Sequence, residues 1–452
     1  MPTDPQAYHP AAALLDLGTT LSDPVEAARF PATRLRFRND RAAAEVGLAT
    51  LDDGEWIDAF GRFVPLPGTL PQPLALRYHG HQFRQYNPDI GDGRGFTFAQ
   101  LHDRDGRLMD LGTKGSGTTP YSRFGDGRLT LKGGVREILA TEMLEALNVP
   151  TSRTLSLIET GEELVRGDEP SPTRSAVLVR LSHGHIRIGS FQRLAYHQDE
   201  AGMRALVRYV LANLYGEESD DPIRLLDHVV GRTATLAARY MAAGFVHGVL
   251  NSDNINITGE SFDYGPWRFA PTWDAAFTAA YFDHAGLYAF GRQPEAIHWD
   301  VMQLASSLRL IAESDPLIAT LETFAPRYQE AITAALLWRL GVVPHTPDAD
   351  RALVQTMERA LRTTQVPLDR FFFDVFGGVL PADYGEDWQA LRAALAGYAS
   401  RTSRDHRYWR GEPCGLLIDE VEAIWAPIAA ADDWTALNDK VAAIREMGEA
   451  LA

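Results

Sequence analysis

Phe245-Val-His247-Gly-Val249-Leu-Asn-Ser-Asp253-Asn254, followed nine residues later by Asp263-Tyr264-Gly265, puts three oxygen-bearing side chains within eleven positions. Carboxylate and amide oxygens, completed by phosphates and water, make the hard octahedral shell that Mg²⁺ prefers and that Mn²⁺ also accepts. The same residues are compatible with an ordinary polar turn. The segment from Asn256 to Asp263 reads as a hairpin that delivers Asp263 to this loop.

The offsets separate these alternatives. In a protein-kinase loop of the form H-R-D-x-x-x-x-N, the Asp two residues after His takes the proton of the attacking hydroxyl, and the Asn holds a metal. Here Asn254 keeps its offset from His247 and Asp263-Tyr-Gly stands where a kinase has Asp-Phe-Gly, but the position two after His is Val249. Val cannot accept a proton, so the metal site is retained and the usual base is lost. Asp253, adjacent to Asn254, is the replacement acid/base. The fold expected from this pattern is α+β, a protein-kinase-like two-lobed arrangement with a β-rich N-lobe, a mainly helical C-lobe and an N-terminal extension.

Composition agrees with a folded, water-facing chain. The 452 residues are 45% apolar and 23% charged, and no segment is apolar enough over a sufficient length to span a bilayer. The opening Met-Pro-Thr-Asp-Pro-Gln lacks a basic n-region and a sustained apolar run, so a cytoplasmic chain is expected. A single cysteine, Cys414, excludes an intramolecular disulfide and a thiolate-rich metal cage. Forty-three basic against sixty acidic residues give a net charge of −17, which argues against a nucleic-acid partner. The cations that do cluster (Lys114, Arg123, Arg128, Lys132, Arg136, Arg180, Arg187) suit a small polyanion such as a nucleotide.

Residues 1–70 read as an extension with small elements. Residues 71–195 read as the phosphate-holding lobe, with strands at Phe96–Leu101, Leu108–Leu111, Thr154–Ile158 and Ser175–Leu181. Asp105-Gly106 favours the turn between the first two. Gly91 and Gly93, with Arg94, would let backbone N–H groups approach phosphate oxygens, although taken alone an ordinary turn is the better explanation of the run. Lys114-Gly-Ser-Gly117 lacks the spacing of a P-loop. Val135, Ile138, Leu139, Met143 and Leu147 recur at helical spacing with a stop at Asn148-Val-Pro150, which places Glu137 on a helix after the strand that carries Lys114. Kinases use that order for the ion pair that fixes nucleotide phosphates; a loop lysine and an exposed helix carboxylate are the plainer alternative. Arg180 and Arg187 supply guanidiniums able to clamp phosphates in bidentate fashion.

Residues 196–452 read as the helical catalytic lobe, with helices at Met203–Leu214, Leu225–Ala243, Trp299–Ala312 and Pro316–Leu340. His79, His81, His183 and His185 are expected in structural roles, since no third ligand accompanies either His-x-His pair. Tyr281, Phe282, Tyr288 and Phe290 are expected to fill the core under the site, and Trp273-Asp274 to brace the metal loop.

Taken together, Tyr78-His-Gly-His-Gln-Phe83, Gly91-Asp-Gly-Arg94, Lys114-Gly-Ser-Gly-Thr-Thr-Pro-Tyr-Ser-Arg123, Asp126-Gly-Arg128, Arg136-Glu137, His247 to Asn254 and Asp263-Tyr-Gly-Pro266 resemble the selenoprotein O family of kinase-fold protein adenylyltransferases. The likeness is strongest from about residue 75 to 305. It implies ATP bound in reverse orientation, with AMP moved to a Ser, Thr or Tyr hydroxyl of a protein and pyrophosphate released. On this resemblance Asp253 is the acid/base, and Asn254 and Asp263 hold the metal. Lys114, Glu137, Arg180 and Arg187 contact phosphates, and Gly91, Gly93, Arg94, Asp126 and Gly127 line the nucleotide site. The chain departs from the family in Lys132-Gly-Gly-Val135 before Arg136-Glu137, where Arg-Ser-Ser-Ile is usual, and in a C-terminal region without the terminal selenocysteine or cysteine motif of longer members. A protein or small-molecule kinase, and a nucleotide-binding scaffold without catalysis, are the other readings of the same residues.

Overall fold

The computed structural model describes residues 7–167 and 169–452. Eleven strands precede the helical half: β1 (His9–Ala11), β2 (Ser22–Pro24), β3 (Arg34–Arg38), β4 (Leu74–Leu76), β5 (Gly80–Gln82), β6 (Gln85–Asn87), β7 (Thr97–His102), β8 (Leu108–Lys114), β9 (Leu129–Thr130), β10 (Arg153–Leu164) and β11 (Thr173–Ser182). Nine of them form one sheet along the path β2-β4-β7-β8-β11-β10-β3, with β1 on β7 and β9 on β11, and every pairing is antiparallel. The β5–β6 hairpin stands apart from it.

The first seventy residues are built into this lobe. They contribute three of the sheet strands and two short helices, α1 (Asp40–Glu45) and α2 (Asp53–Gly61). The second begins at a capping box in which Asp52 and Glu55 satisfy each other's backbone N–H groups. Trp56 and Phe60 of α2 are fully buried; the Trp56 indole donates to Ser156 Oγ at 2.9 Å, and Phe60 meets Phe98 edge-on at 6.3 Å.

The long helix α3 (Leu131–Ala146) lies against β10 and β11. Thr130 caps it by accepting from the Gly133 N–H at 3.1 Å. A glycine in the first turn costs helix propensity, but a Cβ on Gly134 would lie 2.3 Å from Leu157 Cδ1, so the Gly-Gly departure lets the helix start pack closely on β10. Glu137 stays in register one turn further on.

The second lobe is mainly helical: α4 (Ile188–Tyr196), α5 (Glu200–Tyr215), α6 (Pro222–Ala243), then, after the loops of the site, α7 (Gln293–Leu308), α8 (Ser314–Leu321), α9 (Phe324–Leu340) and α10 (Pro347–Thr364). Helix α6 shows why sequence marks its ends well: Asp221 caps it, Pro222 occupies the first turn, and Gly244 closes it at φ 68°. The stretch expected as one helix from Pro316 to Leu340 is two. Pro326 has no N–H to give the Glu322 carbonyl, so it is accommodated only in the first turn of a new helix. Among the described residues no helix is long and apolar enough to cross a membrane. A sheet lobe over a helical lobe, with the loops that carry His247, Asp253 and Asp263 between them, is the protein-kinase-like α+β fold.

Candidate active site

A cavity of about 680 Å³ separates the lobes, and Gly91, Gly93, Arg94, Lys114, Asp126, Gly127, Arg180, Arg187, Asp253, Asn254 and Asp263 all line it. Glu137 lies behind the wall, where its carboxylate accepts from Lys114 Nζ. Both partners are almost fully buried, and burial pushes the Lys114 ammonium below its ordinary value against the opposing pull of Glu137.

Sheet register delivers the cations. Leu178 pairs with Lys114 and Arg180 with Gly112, so Arg180 and Lys114 project from the same face at diagonal positions. Gly112 leaves the space opposite Arg180 to the His185 ring: a Cβ there would sit 2.4 Å from His185 Nε2. That nitrogen accepts from Arg180 Nε at 3.0 Å, while His185 Nδ1 lies 3.5 Å from the Asp110 carboxylate. Burial lowers the His185 pKa, in keeping with a neutral ring that accepts from the guanidinium. His185 therefore has the structural role expected of it, and that role is to orient a cation of the cavity.

The loop of the second lobe starts from a short ribbon, β12 (Phe245–Val246) paired with β13 (Arg268–Phe269). Gln293, at the start of α7, accepts from the His247 N–H at 3.0 Å and donates to the Phe245 carbonyl at 2.8 Å. Buried His247 in turn spans to the Phe262 carbonyl at 2.9 Å and so ties the two halves of the loop together. Val249 lines the cavity with no group to take a proton. Asp253 sits in a tight turn with its carboxylate in the wall; its Oδ1 has no hydrogen-bond partner among the described residues. Burial raises its pKa to about 6, with Arg187 pulling the other way.

Asp263 is left-handed, at φ 60°. Arg180 and Arg187 each donate to one of its carboxylate oxygens at 2.5 Å. Burial would raise its pKa, but Arg180, Arg187 and Lys114 outweigh burial and hold the group well below the carboxylate range. Arg187 also donates to the Asp253 carbonyl at 2.8 Å and lies 3.4 Å from Asp92. Asp92 stood in the sequence only within Gly91 to Arg94 and His185 only as a structural histidine; their contacts with the two arginines had no sequence signal.

The segment from Asn256 to Asp263 is not a hairpin. Asn256 and Gly259 close a tight turn at 3.0 Å, but the arms bond elsewhere, Asn256 bridging to Arg187 and Ser261 to Thr151. Tyr281 and Phe282, expected in the core, are 79% and 41% exposed, whereas Tyr288 and Phe290 are buried. Trp273 packs on Phe290 at 5.3 Å, in a core under the later helices that also takes in Val246 of the ribbon from which the loop starts.

Among the described residues no three His, Cys, Asp or Glu side chains converge as metal ligands. Asn254 donates through Nδ2 to the Val249 carbonyl at 2.9 Å, which leaves Oδ1 as a free oxygen donor. That oxygen and the Asp263 carboxylate fit a hard divalent ion whose remaining ligands are phosphates and water.

The loop following Lys114 closes the outer end of the cavity. Gly127, at φ 68°, packs on Gly117, where a Cβ would come within 2.2 Å of the backbone. Asp126 is gripped by Arg166 through bonds of 2.8 and 3.0 Å. Gly91 and Gly93 pack against Tyr121; a Cβ on Gly91 would lie 2.5 Å from that ring. These glycines thus have a steric reason that involves no ligand.

Comparison with known proteins identifies the family. The family model described as "Protein adenylyltransferase SelO" matches residues 6–410. "Protein nucleotidyltransferase YdiU" of Synechococcus elongatus is 44% identical, over 98% of this chain and 96% of its own. The protein of the same description from Gloeobacter violaceus is 44% identical over 97% and 95%, and that from Azotobacter vinelandii 35% over 90% and 82%. Among solved structures, a Toxoplasma gondii rhoptry antigen kinase domain matches at 10% identity with a TM-score of 0.28, over 59% of this chain and 83% of its own. At that score the fold assignment rests on the strand order and the loops. With a matching family model and full-length relatives well above 30% identity, the chain belongs to the SelO family of protein adenylyltransferases.

Proposed function

We propose that this protein transfers AMP from ATP to a Ser, Thr or Tyr hydroxyl of a protein acceptor, with ATP held in reverse of the kinase orientation. The acceptor oxygen attacks the α-phosphorus, the bond between that phosphorus and the oxygen bridging to the β-phosphate breaks, and pyrophosphate leaves. Asp253 takes the hydroxyl proton; its pKa of about 6 keeps it ionised at neutral pH and able to accept. Lys114, Arg180 and Arg187 hold the β- and γ-phosphates at the inner end, where the leaving pyrophosphate carries its charge. A divalent ion, Mg²⁺ or Mn²⁺, held by Asn254 and Asp263 would neutralise phosphate charge. Gly91, Gly93, Arg94, Asp126 and Gly127 line the nucleoside end. In this reading the sheet lobe, expected at residues 71–195 and joined by the first seventy, holds the phosphates, and the helical lobe, expected at 196–452 and beginning with α4, is catalytic.

The observation that carries the proposal is the pair Val249 and Asp253: the cavity wall has an apolar side chain at the kinase base position and a carboxylate four residues on. Incubation with ATP labelled at the α- or the γ-phosphorus tests it. Protein-bound label from α-labelled ATP alone is the expected result; label from γ-labelled ATP would make the protein a kinase, and none from either would leave a nucleotide-binding scaffold.

A further inference from the structure

The β5–β6 hairpin is a small element with no core of its own, yet its tip is strained. Gly80 pairs with Asn87, His81 with Tyr86 and Gln82 with Gln85, so Phe83-Arg84 is a two-residue connection. Both connecting residues have positive φ, 49° and 63°. Such turns favour Asn-Gly, because other side chains are strained in the left-handed region. The Phe83 N–H donates to Asn251 Oδ1 at 3.0 Å, and Arg84 bonds Glu295 at 3.1 Å while its guanidinium covers Trp299. Strain of this kind persists where the surroundings over-determine it, and it gathers at working sites.

The hairpin meets the catalytic loop residue by residue. Phe83 holds Asn251, and the His81 N–H donates to Ser252 Oγ at 2.7 Å. Ser252 passes the bond to Gln192 at 2.6 Å, and Gln192 returns to His81 Nδ1 at 2.6 Å. Gly80 lies so close to Asp253 that a Cβ would be 2.8 Å from its Oδ1. Gln82, two residues on and so on the same face of β5 as Gly80, lines the cavity beside Asp253. Asn87 Nδ2 donates to Gln82 Oε1 at 3.0 Å, which fixes the amide with its N–H end toward Asp253.

We propose that the β5–β6 hairpin sets the register of the catalytic loop and that Gln82, oriented by Asn87, is a positioning residue for Asp253. The inference rests on Asp253 being the base. The N–H end of Gln82 faces the carboxylate from the cavity side while Gly80 backs its buried Oδ1, and the two hold the group in one orientation. Such contacts tighten when substrate closes the site.

Steady-state transfer by Gln82→Met, Gln82→Glu, Asn87→Ala, Gln82→Met/Asn87→Ala and Asp253→Ala, with melting curves for each, tests this. Both Gln82 variants keep the length of the side chain and the fold, and both should lose roughly tenfold or more in kcat with the KM for ATP within about twofold, the signature of an interaction used in the chemical step. Asn87→Ala should lose less, and the double variant no more than Gln82→Met alone, because the two act through one contact. Wild-type kcat in Gln82→Met, with Asp253→Ala inactive, would overturn the positioning role and leave the base assignment standing. Wild-type kcat in Asp253→Ala would overturn both. Additive losses in the double variant would show that Asn87 does not act through Gln82.

Discussion

Arg187 NH1 and Asp263 Oδ2 are 2.5 Å apart, and the Arg180 guanidinium occupies the other oxygen of the same carboxylate. The proposed metal ligand is therefore paired with the cations proposed to bind phosphate. On the proposed function, a nucleotide and a divalent ion binding together would satisfy both partners, the arginines by phosphate and the carboxylate by the ion.

Removal of Asp263 should make this visible. Arg180 and Arg187 are about 5% exposed as side chains, and Asp263→Ala strands both. Breaking a buried ion pair from one side costs about 3–5 kcal/mol. Differential scanning calorimetry should show a large loss of Tm without ligand and partial recovery with pyrophosphate, which supplies the missing negative charge. Equal melting of variant and wild type would contradict the pairing.

Asp253 sets a pH limb. With a folded pKa of about 6, its ionised fraction, and with it kcat/KM, should fall about tenfold per pH unit below that value. The same shift has a thermodynamic sign. A carboxyl whose pKa is raised on folding binds more protons folded than unfolded between pH 4 and 6, so it contributes a loss of stability as pH rises through that window. Asp253→Asn should therefore abolish transfer and raise Tm at pH 7.5, a trade of stability against function. A profile flat to pH 5 would contradict the assignment.

Asp300 on α7 is fully buried, and neither carboxylate oxygen has a hydrogen-bond partner among the described residues. Burial, reinforced by the charge of Asp253, pushes its pKa well above the ordinary value. Its penalty appears above the unfolded pKa and grows with pH until the folded pKa is passed. Asp300→Asn should raise the urea midpoint more at pH 8 than at pH 5; the reverse order would show that Asp300 has an unseen cationic partner.

Gly112→Ala tests the seat of His185. The new Cβ would fall 2.4 Å from His185 Nε2, displacing the ring that accepts from Arg180. A rise of roughly tenfold in the KM for ATP is expected from a misplaced phosphate clamp. Unchanged KM, measured alongside His185→Ala, would show that the ring does not orient Arg180.

Most of the cavity was legible because its residues sit in short local patterns. Lys114 at a strand end, Glu137 at helical spacing and the fixed offset from His247 to Asn254 need no knowledge of distant contacts. Other contributors act only through tertiary contact. Gln82 faces a loop residue far along the chain, Gln293 works through its bonds to backbone, and His185 fits because Gly112 on another strand lacks a side chain. The errors have the same origin. Turn chemistry at Asn256 to Gly259 was visible, but its arms bond Arg187 and Thr151 and not each other. Aromatic content alone did not show that Tyr281 and Phe282 face outward.

The central claim is adenylyl transfer through Asp253, and intact-mass spectrometry of a protein acceptor pool, after incubation with ATP and Mg²⁺ or Mn²⁺, tests it most directly. The account predicts a gain of about 329 Da per modified acceptor, the AMP moiety less water, with the wild-type protein and none with Asp253→Ala. A gain of about 80 Da, the mass of a phosphoryl group, or an unchanged gain with Asp253→Ala, would contradict it.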